Sequence, residues 1–88
     1  LEQNYPNPFN PSTTIRYGLP EDAIVSLRIY DLRGNVVQTL ESGRKAAGWY
    51  ELVWNGETAN GLTISTGIYF ARIVAADYTQ VVKMLYLK

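Results

Sequence analysis

The chain has 88 residues, 47% of them hydrophobic and 12% aromatic, with eight basic residues balanced by eight acidic ones. This composition points to one globular domain with a single core, and the charge balance excludes a field that would draw it to nucleic acid or an anionic membrane. Cysteine and histidine are absent, which removes disulfides, thiolate nucleophiles, the usual general base and the commonest transition-metal ligand, and with them most enzymatic mechanisms. No apolar run approaches the roughly 18–20 residues that span a bilayer. Leu1 does not begin a signal peptide, so the expectation is a soluble, not membrane-spanning, domain whose export signal lies elsewhere in a longer chain.

Residues 1–12 form an extended arm. Pro6, Pro8 and Pro11 fix their own φ, remove backbone donors and bias Tyr5, Asn7 and Asn10 towards extended backbone. Asn4, Asn7 and Asn10 can bond neighbouring backbone and supply the turns between the prolines. Tyr5 and Phe9 are the expected anchors, because a disordered linker rarely carries two large aromatics. An arm of this kind also protects an edge strand.

Alternation then predicts strands. Thr13–Leu19 sets Ile15, Tyr17 and Leu19 on one face, and residues 23–31 set Val25, Leu27 and Ile29 against Ser26, Arg28 and Tyr30. Leu32-Arg33-Gly34-Asn35 is a tight turn with glycine at a positive φ, returning as a strand over 36–40. Residues 42–48 read as a loop between glycines. Residues 49–54 alternate Tyr50, Leu52 and Trp54 with Trp49, Glu51 and Val53, and the rings of Tyr50 and Trp54 plug the core. A polar loop over 55–61, a brief edge strand over 62–64 and a corner at Ser65-Thr66-Gly67 follow. Residues 67–75, with Tyr69, Ala71 and Ile73 on one face, turn at Ala76-Asp77 into a last strand over 79–87. Turn signals roughly every 8–12 residues without helical periodicity fit a seven-stranded antiparallel β-sandwich of immunoglobulin or fibronectin type over residues 13–88, an open barrel being the alternative.

Two segments carry a family likeness. Gln3-Asn-Tyr-Pro-Asn-Pro-Phe-Asn-Pro-Ser-Thr-Thr-Ile15, with Asn7, Pro8, Phe9, Asn10 and Pro11 at its centre, resembles the opening motif of type A C-terminal sorting domains of the bacterial type IX secretion system. Trp54-Asn-Gly-Glu-Thr-Ala-Asn-Gly61, containing Gly56 and Gly61, and Thr66-Gly-Ile-Tyr-Phe-Ala-Arg-Ile73, containing Gly67 and Tyr69, resemble the signature of the immunoglobulin-like domain of flagellar hook-capping proteins, which the sorting domains share. The Ile29-Tyr-Asp-Leu-Arg-Gly-Asn-Val-Val37 block, with Gly34, and the terminal Lys83-Met-Leu-Tyr-Leu-Lys88 also match. Asn55 stands where aspartate is frequent, which weakens any metal-binding idea for that loop.

The resemblance implies a non-enzymatic secretion signal at the end of a longer exported protein, with no catalytic residue, metal or cofactor. Its implied partners are the attached N-terminal cargo, the outer-membrane translocon and a sortase-like peptidase that in this family often removes the domain and joins the cargo to a surface lipopolysaccharide, cleavage or retention of this domain being left open. The implied route runs through the periplasm to the cell surface or beyond. The rival readings are a structural module making hook-cap-like protein contacts and an accessory domain holding polysaccharide through Trp49.

Each glycine is also explained by loop geometry. Tyr69 reads either as core or as a recognition ring, and Lys83 either as protection of a sheet edge or as a contact for the translocon. Tyr30, Trp49, Ile68, Phe70 and Val74 share the parity opposite to the core, forming a docking patch unless the arm covers them. The acidic residues fall mostly at turns, with no calcium-type loop.

Overall fold

The computed structural model describes residues 1–88. Strict alternation produces the first two strands: β1 (Thr13–Leu19) buries Thr13, Ile15, Tyr17 and Leu19, and β2 (Ala23–Tyr30) buries Ala23, Val25, Leu27 and Ile29. The period of two that a pleated strand imposes puts one face of each against the core. β3 (Val36–Lys45), β4 (Gly48–Trp54), β5 (Gly67–Ala75) and β6 (Tyr78–Tyr86) complete the set. A two-stranded sheet, β1-β4, packs on a four-stranded sheet of order β3-β2-β5-β6, and every pairing is antiparallel. The fold is therefore the expected all-β, immunoglobulin-like sandwich.

The strand count is six, not seven. Residues 62–64 make one isolated bridge, Glu57 with Thr63, instead of a strand. That bridge is closed by two bonds within the loop, Thr58 N–H to Leu62 O (2.8 Å) and Ile64 N–H to Gly56 O (2.9 Å), and the loop reaches the sheet only where Ala59 N–H donates to Val37 O of β3 (3.0 Å). The loop thereby caps one end of β3 and drops Ile64 into the core.

β3 also runs five residues past its expected end at Leu40, so the loop expected over 42–48 shrinks to Ala46-Ala47 between β3 and β4. Pairing decides this: Ser42, Gly43 and Arg44 lie opposite Ser26, Val25 and Ile24 of β2. Register shifts at Leu27/Arg28 and at Ile29/Tyr30 break the alternation of β3, as β-bulges do, and hide the strand from a period-two reading. In the β2–β3 turn Gly34 takes φ +89°. There the amides of Arg33 and Asn35 each donate to Asp31 Oδ1 at 2.9 Å, and the Asn35 amide foremost holds the Asp31 carboxyl below its ordinary pKa.

Among the expected inward residues, Trp54 is fully buried while Tyr50 and Leu52 are half-buried at the rim. Tyr17 stacks on Tyr50 with ring centroids 5.2 Å apart, and its hydroxyl is buried without a hydrogen-bond partner. Burial first, then the Glu41 charge, pushes its pKa up to about 12. Two consequences follow for Tyr17→Phe. Removing an unsatisfied buried hydroxyl should raise stability by about 1 kcal/mol in urea unfolding. The folded pKa lies above the unfolded value, so the parent should lose stability as pH rises from about 10 to about 12 while the phenylalanine variant loses less. A variant less stable than the parent at neutral pH would show that the hydroxyl has a partner.

Candidate functional site

The arm and the last strand form one edge. Prolines keep residues 1–12 from joining either sheet along their length, so the arm bonds only at separate points. Near its start it pairs with β1: Glu2 N–H donates to Arg16 O (2.8 Å), and Tyr5 and Thr14 exchange both backbone bonds (3.0 and 2.8 Å). It then crosses to the other sheet. Phe9 N–H donates to Leu85 O (3.0 Å), Leu87 N–H donates to Phe9 O (3.2 Å), and Phe9 and Tyr86 form a parallel bridge. Side chains reinforce the crossing: Leu85 N–H donates to Asn7 Oδ1 (2.9 Å) and Gln3 Nε2 donates to Lys83 O (2.8 Å). The arm thus ties β1 to β6 and covers the β6 edge, which would otherwise be open to pairing.

Two buried side chains anchor the arm, and only one of them was expected. Phe9 is 2% exposed, whereas Tyr5 is 81% exposed and anchors nothing. Tyr5 is held through its backbone, which leaves its ring in solvent. The second anchor is Asn4, also 2% exposed, whose Nδ2 donates to Thr13 Oγ1 (3.0 Å) and Pro6 O (3.2 Å) while Thr13 Oγ1 donates to Pro6 O (2.8 Å). A lone asparagine among prolines reads as a turn former, and nothing in the sequence separates Asn4 from Asn7 or Asn10.

Four rings meet beneath the arm. Phe9 lies 5.6 Å from Trp54 and 5.2 Å from Tyr86, and Trp54 lies 5.9 Å from Tyr69. Two of the polar ends are bonded: Trp54 Nε1 donates to Glu57 O (3.0 Å) and the Tyr69 hydroxyl donates to Ser65 O (2.7 Å). Gly56 closes the cluster, since a Cβ there would stand 2.9 Å from Pro11 O and 3.3 Å from Tyr86 Cε1. The two motif segments, far apart in the chain, therefore meet through Phe9, Pro11, Trp54, Gly56 and Tyr69. Tyr86 was not expected, although it shares parity with Val82 and the buried Met84 on β6.

The other sequence candidates lie around this cluster. Asn7, Pro8 and Lys83 border a shallow cavity of about 230 Å³ outside β6, with Lys83 exposed. Gly67 opens β5 opposite Tyr86. Asn10 is exposed, Gly61 sits in the 55–66 loop with φ +82°, and Gly34 lies in the β2–β3 turn outside the cluster. Of the expected outer patch, Tyr30, Ile68, Phe70 and Val74 share the outer face of the four-stranded sheet, while Trp49 belongs to β4 on the other sheet. There it lies against Gly18 and beneath the Arg16 guanidinium, 4.2 Å from the ring centre.

A family model for the FlgD Ig-like domain matches residues 9–78. The chain belongs to this Ig-like family. Basal-body rod modification protein FlgD of Salmonella typhimurium is 38% identical over 53 residues, or 60% of this chain and 23% of that protein. The Ig-like domain thus spans under a quarter of the curated relatives it matches. Among solved structures, latent dimeric PorU of Porphyromonas gingivalis superposes with a TM-score of 0.73 at 25% identity, covering 96% of this chain and 9% of its own. PorZ, an essential bacterial surface component of the type IX secretion system of the same organism, gives 0.68 at 21%, covering 97% and 11%. FlgD of P. aeruginosa gives 0.64 at 23%, covering 84% and 58%. With so little of this chain outside the PorU and PorZ superpositions, at least part of residues 1–8, which the family match leaves out, has a counterpart in both. No helix is long and apolar enough to cross a membrane.

Proposed function

We propose that this Ig-like domain is a type A C-terminal sorting signal, which carries an attached cargo through the periplasm and the outer-membrane translocon of the type IX secretion system to the cell surface. The observation that carries this reading is the arm bound along β6, together with likeness to PorU and PorZ over nearly the whole chain. The domain acts by being recognised and not by catalysis. A folded signal presents Asn7, Pro8 and Lys83, distant in sequence, on one edge, and it does so without the ordering cost that a disordered tag incurs on binding. The translocon reads that edge, and a sortase-like peptidase then separates domain from cargo.

The test is export of a fluorescent cargo bearing an N-terminal signal peptide, with and without residues 1–88 at its C-terminus, in a bacterium with the type IX system and in its translocon-null mutant. Surface cargo is expected only when both domain and translocon are present. Asn7→Ala with Lys83→Ala, which spares the buried rings, should keep the domain folded and lower export several-fold. Cargo held in the periplasm beside a folded domain would sink the reading. It would favour instead a structural module making protein contacts of the hook-cap kind, for which the 38% identity with FlgD speaks.

A further inference from the structure

The outer face of the four-stranded sheet carries a costly arrangement. Arg28 of β2 and Arg72 of β5 lie directly opposite each other, and both are exposed. Their row across the sheet reads Thr39, Arg28, Arg72, Val81, and the neighbouring row reads Val36, Tyr30, Phe70, Lys83. Like charges facing each other across a ladder are destabilising. Nothing in the chain offsets this pair, since the two ion pairs are Arg16 with Glu2 and Lys45 with Glu41. The two cation–π contacts, Arg16 on Trp49 and Lys45 on Tyr50, also lie elsewhere.

The charge on the outward strand residues of this face has one sign. Arg28, Arg44, Arg72 and Lys83 occupy outward positions, and the only carboxylate in these four strands, Glu41, pairs in register with the buried Leu27 and bonds Lys45. Half of the cations of a neutral chain are therefore gathered on one sheet face with no ion-pair partner among its strands. Beside Arg72 lies a shallow hollow of about 310 Å³, walled by Tyr30, Asp31, Leu32, Phe70 and Val81, where the Asp31 carboxylate is already taken up by the amides of Arg33 and Asn35.

We propose that this face binds an acidic peptide segment of a partner protein. Its carboxylates bridge Arg28 and Arg72, whose planar guanidinium forks suit bidentate carboxylate pairing. An adjacent apolar side chain of the segment fills the hollow against Tyr30 and Phe70. The apolar feature is recessed, which suits a side chain of a peptide and not insertion into a lipid leaflet. Binding converts the repulsive pair into a shared site, so the free domain gives up stability for recognition. The proposal does not rest on the sorting reading and stands or falls separately.

The experiment is a titration of isotope-labelled residues 1–88, followed by NMR, with a blocked hexapeptide of alternating glutamate and leucine. Amide shifts are expected on Ser26–Tyr30 and Phe70–Val74, with affinity falling about tenfold as ionic strength rises from about 0.05 M to about 0.5 M. Arg28→Gln and Arg72→Gln should each weaken binding about tenfold and raise the thermal midpoint of the free domain by about 1–5 °C. Should a variant fail to fold, the salt series on the unmodified chain decides. Four results would overturn the proposal: no shifts at millimolar peptide, equal binding of the glutamine counterpart, shifts produced equally by inorganic phosphate or phosphatidylglycerol vesicles, or self-association of the domain through this face.

Discussion

Phe9→Ala is expected to cost about 3–5 kcal/mol, the range for removing a buried phenylalanine side chain. A domain of this size is worth about 4–13 kcal/mol in total, so the loss takes from about a quarter to all of the stability. The ring does three things at once. It fills space between Trp54 and Tyr86, it holds the backbone that bonds Leu85 and Leu87, and it carries the arm from one sheet to the other. Tyr5→Ala is the internal control, because the 81% exposed ring should be worth less than about 0.5 kcal/mol. Urea unfolding of the two variants beside the parent measures the contrast. Equal and small losses would mean that the arm is not part of the folded unit.

That contrast also marks what could be read from the sequence. β1, β2 and β5 were legible because each carries at least three apolar side chains in succession at period two, and the buried faces are those that the pattern names. Trp54 and Tyr69 were legible for the same reason. β3 was not, because its bulges move residues out of phase and its second half is a strand only by virtue of β2 beside it. Tertiary pairing there outweighs the local signal of Ser42 and Gly43. The arm was legible as extended and anchored through Phe9, since proline restricts backbone locally. Its choice of Asn4 over Tyr5 was not, because a hydrogen-bonded pocket for one amide is made by Thr13 and Pro6 coming together in space.

The same limit applies to the site. The opening motif and the Trp54–Gly61 segment each read as a separate block, and each has a local explanation in prolines, asparagines and glycines. Only the fold shows that Pro11 of one block touches Gly56 of the other, which makes Gly56 more than a turn residue. This contact fixes where the arm lies, and so where Asn7 and Pro8 stand relative to Lys83.

Gly56→Ala should therefore cost more than a left-handed glycine alone explains. At φ +70° alanine bears about 1–2 kcal/mol from the clash of Cβ with the carbonyl oxygen. The Cβ would also meet Pro11 O at 2.9 Å and Tyr86 Cε1 at 3.3 Å, and backbone cannot swing aside as a side-chain tip can, so an overpacking cost of about 1–3 kcal/mol adds to it. Gly61→Ala separates the two contributions, because Gly61 sits in the same loop at φ +82° with nothing within 4 Å of its Cβ position. The expected losses in denaturant unfolding are about 1–2 kcal/mol for Gly61→Ala and about 2–5 kcal/mol for Gly56→Ala. The Gly56 variant should also show faster proteolysis within residues 1–12, since the side most free to yield is the arm. Equal losses with an equally protected arm would reduce Gly56 to a turn residue and remove the physical link between the two motif segments.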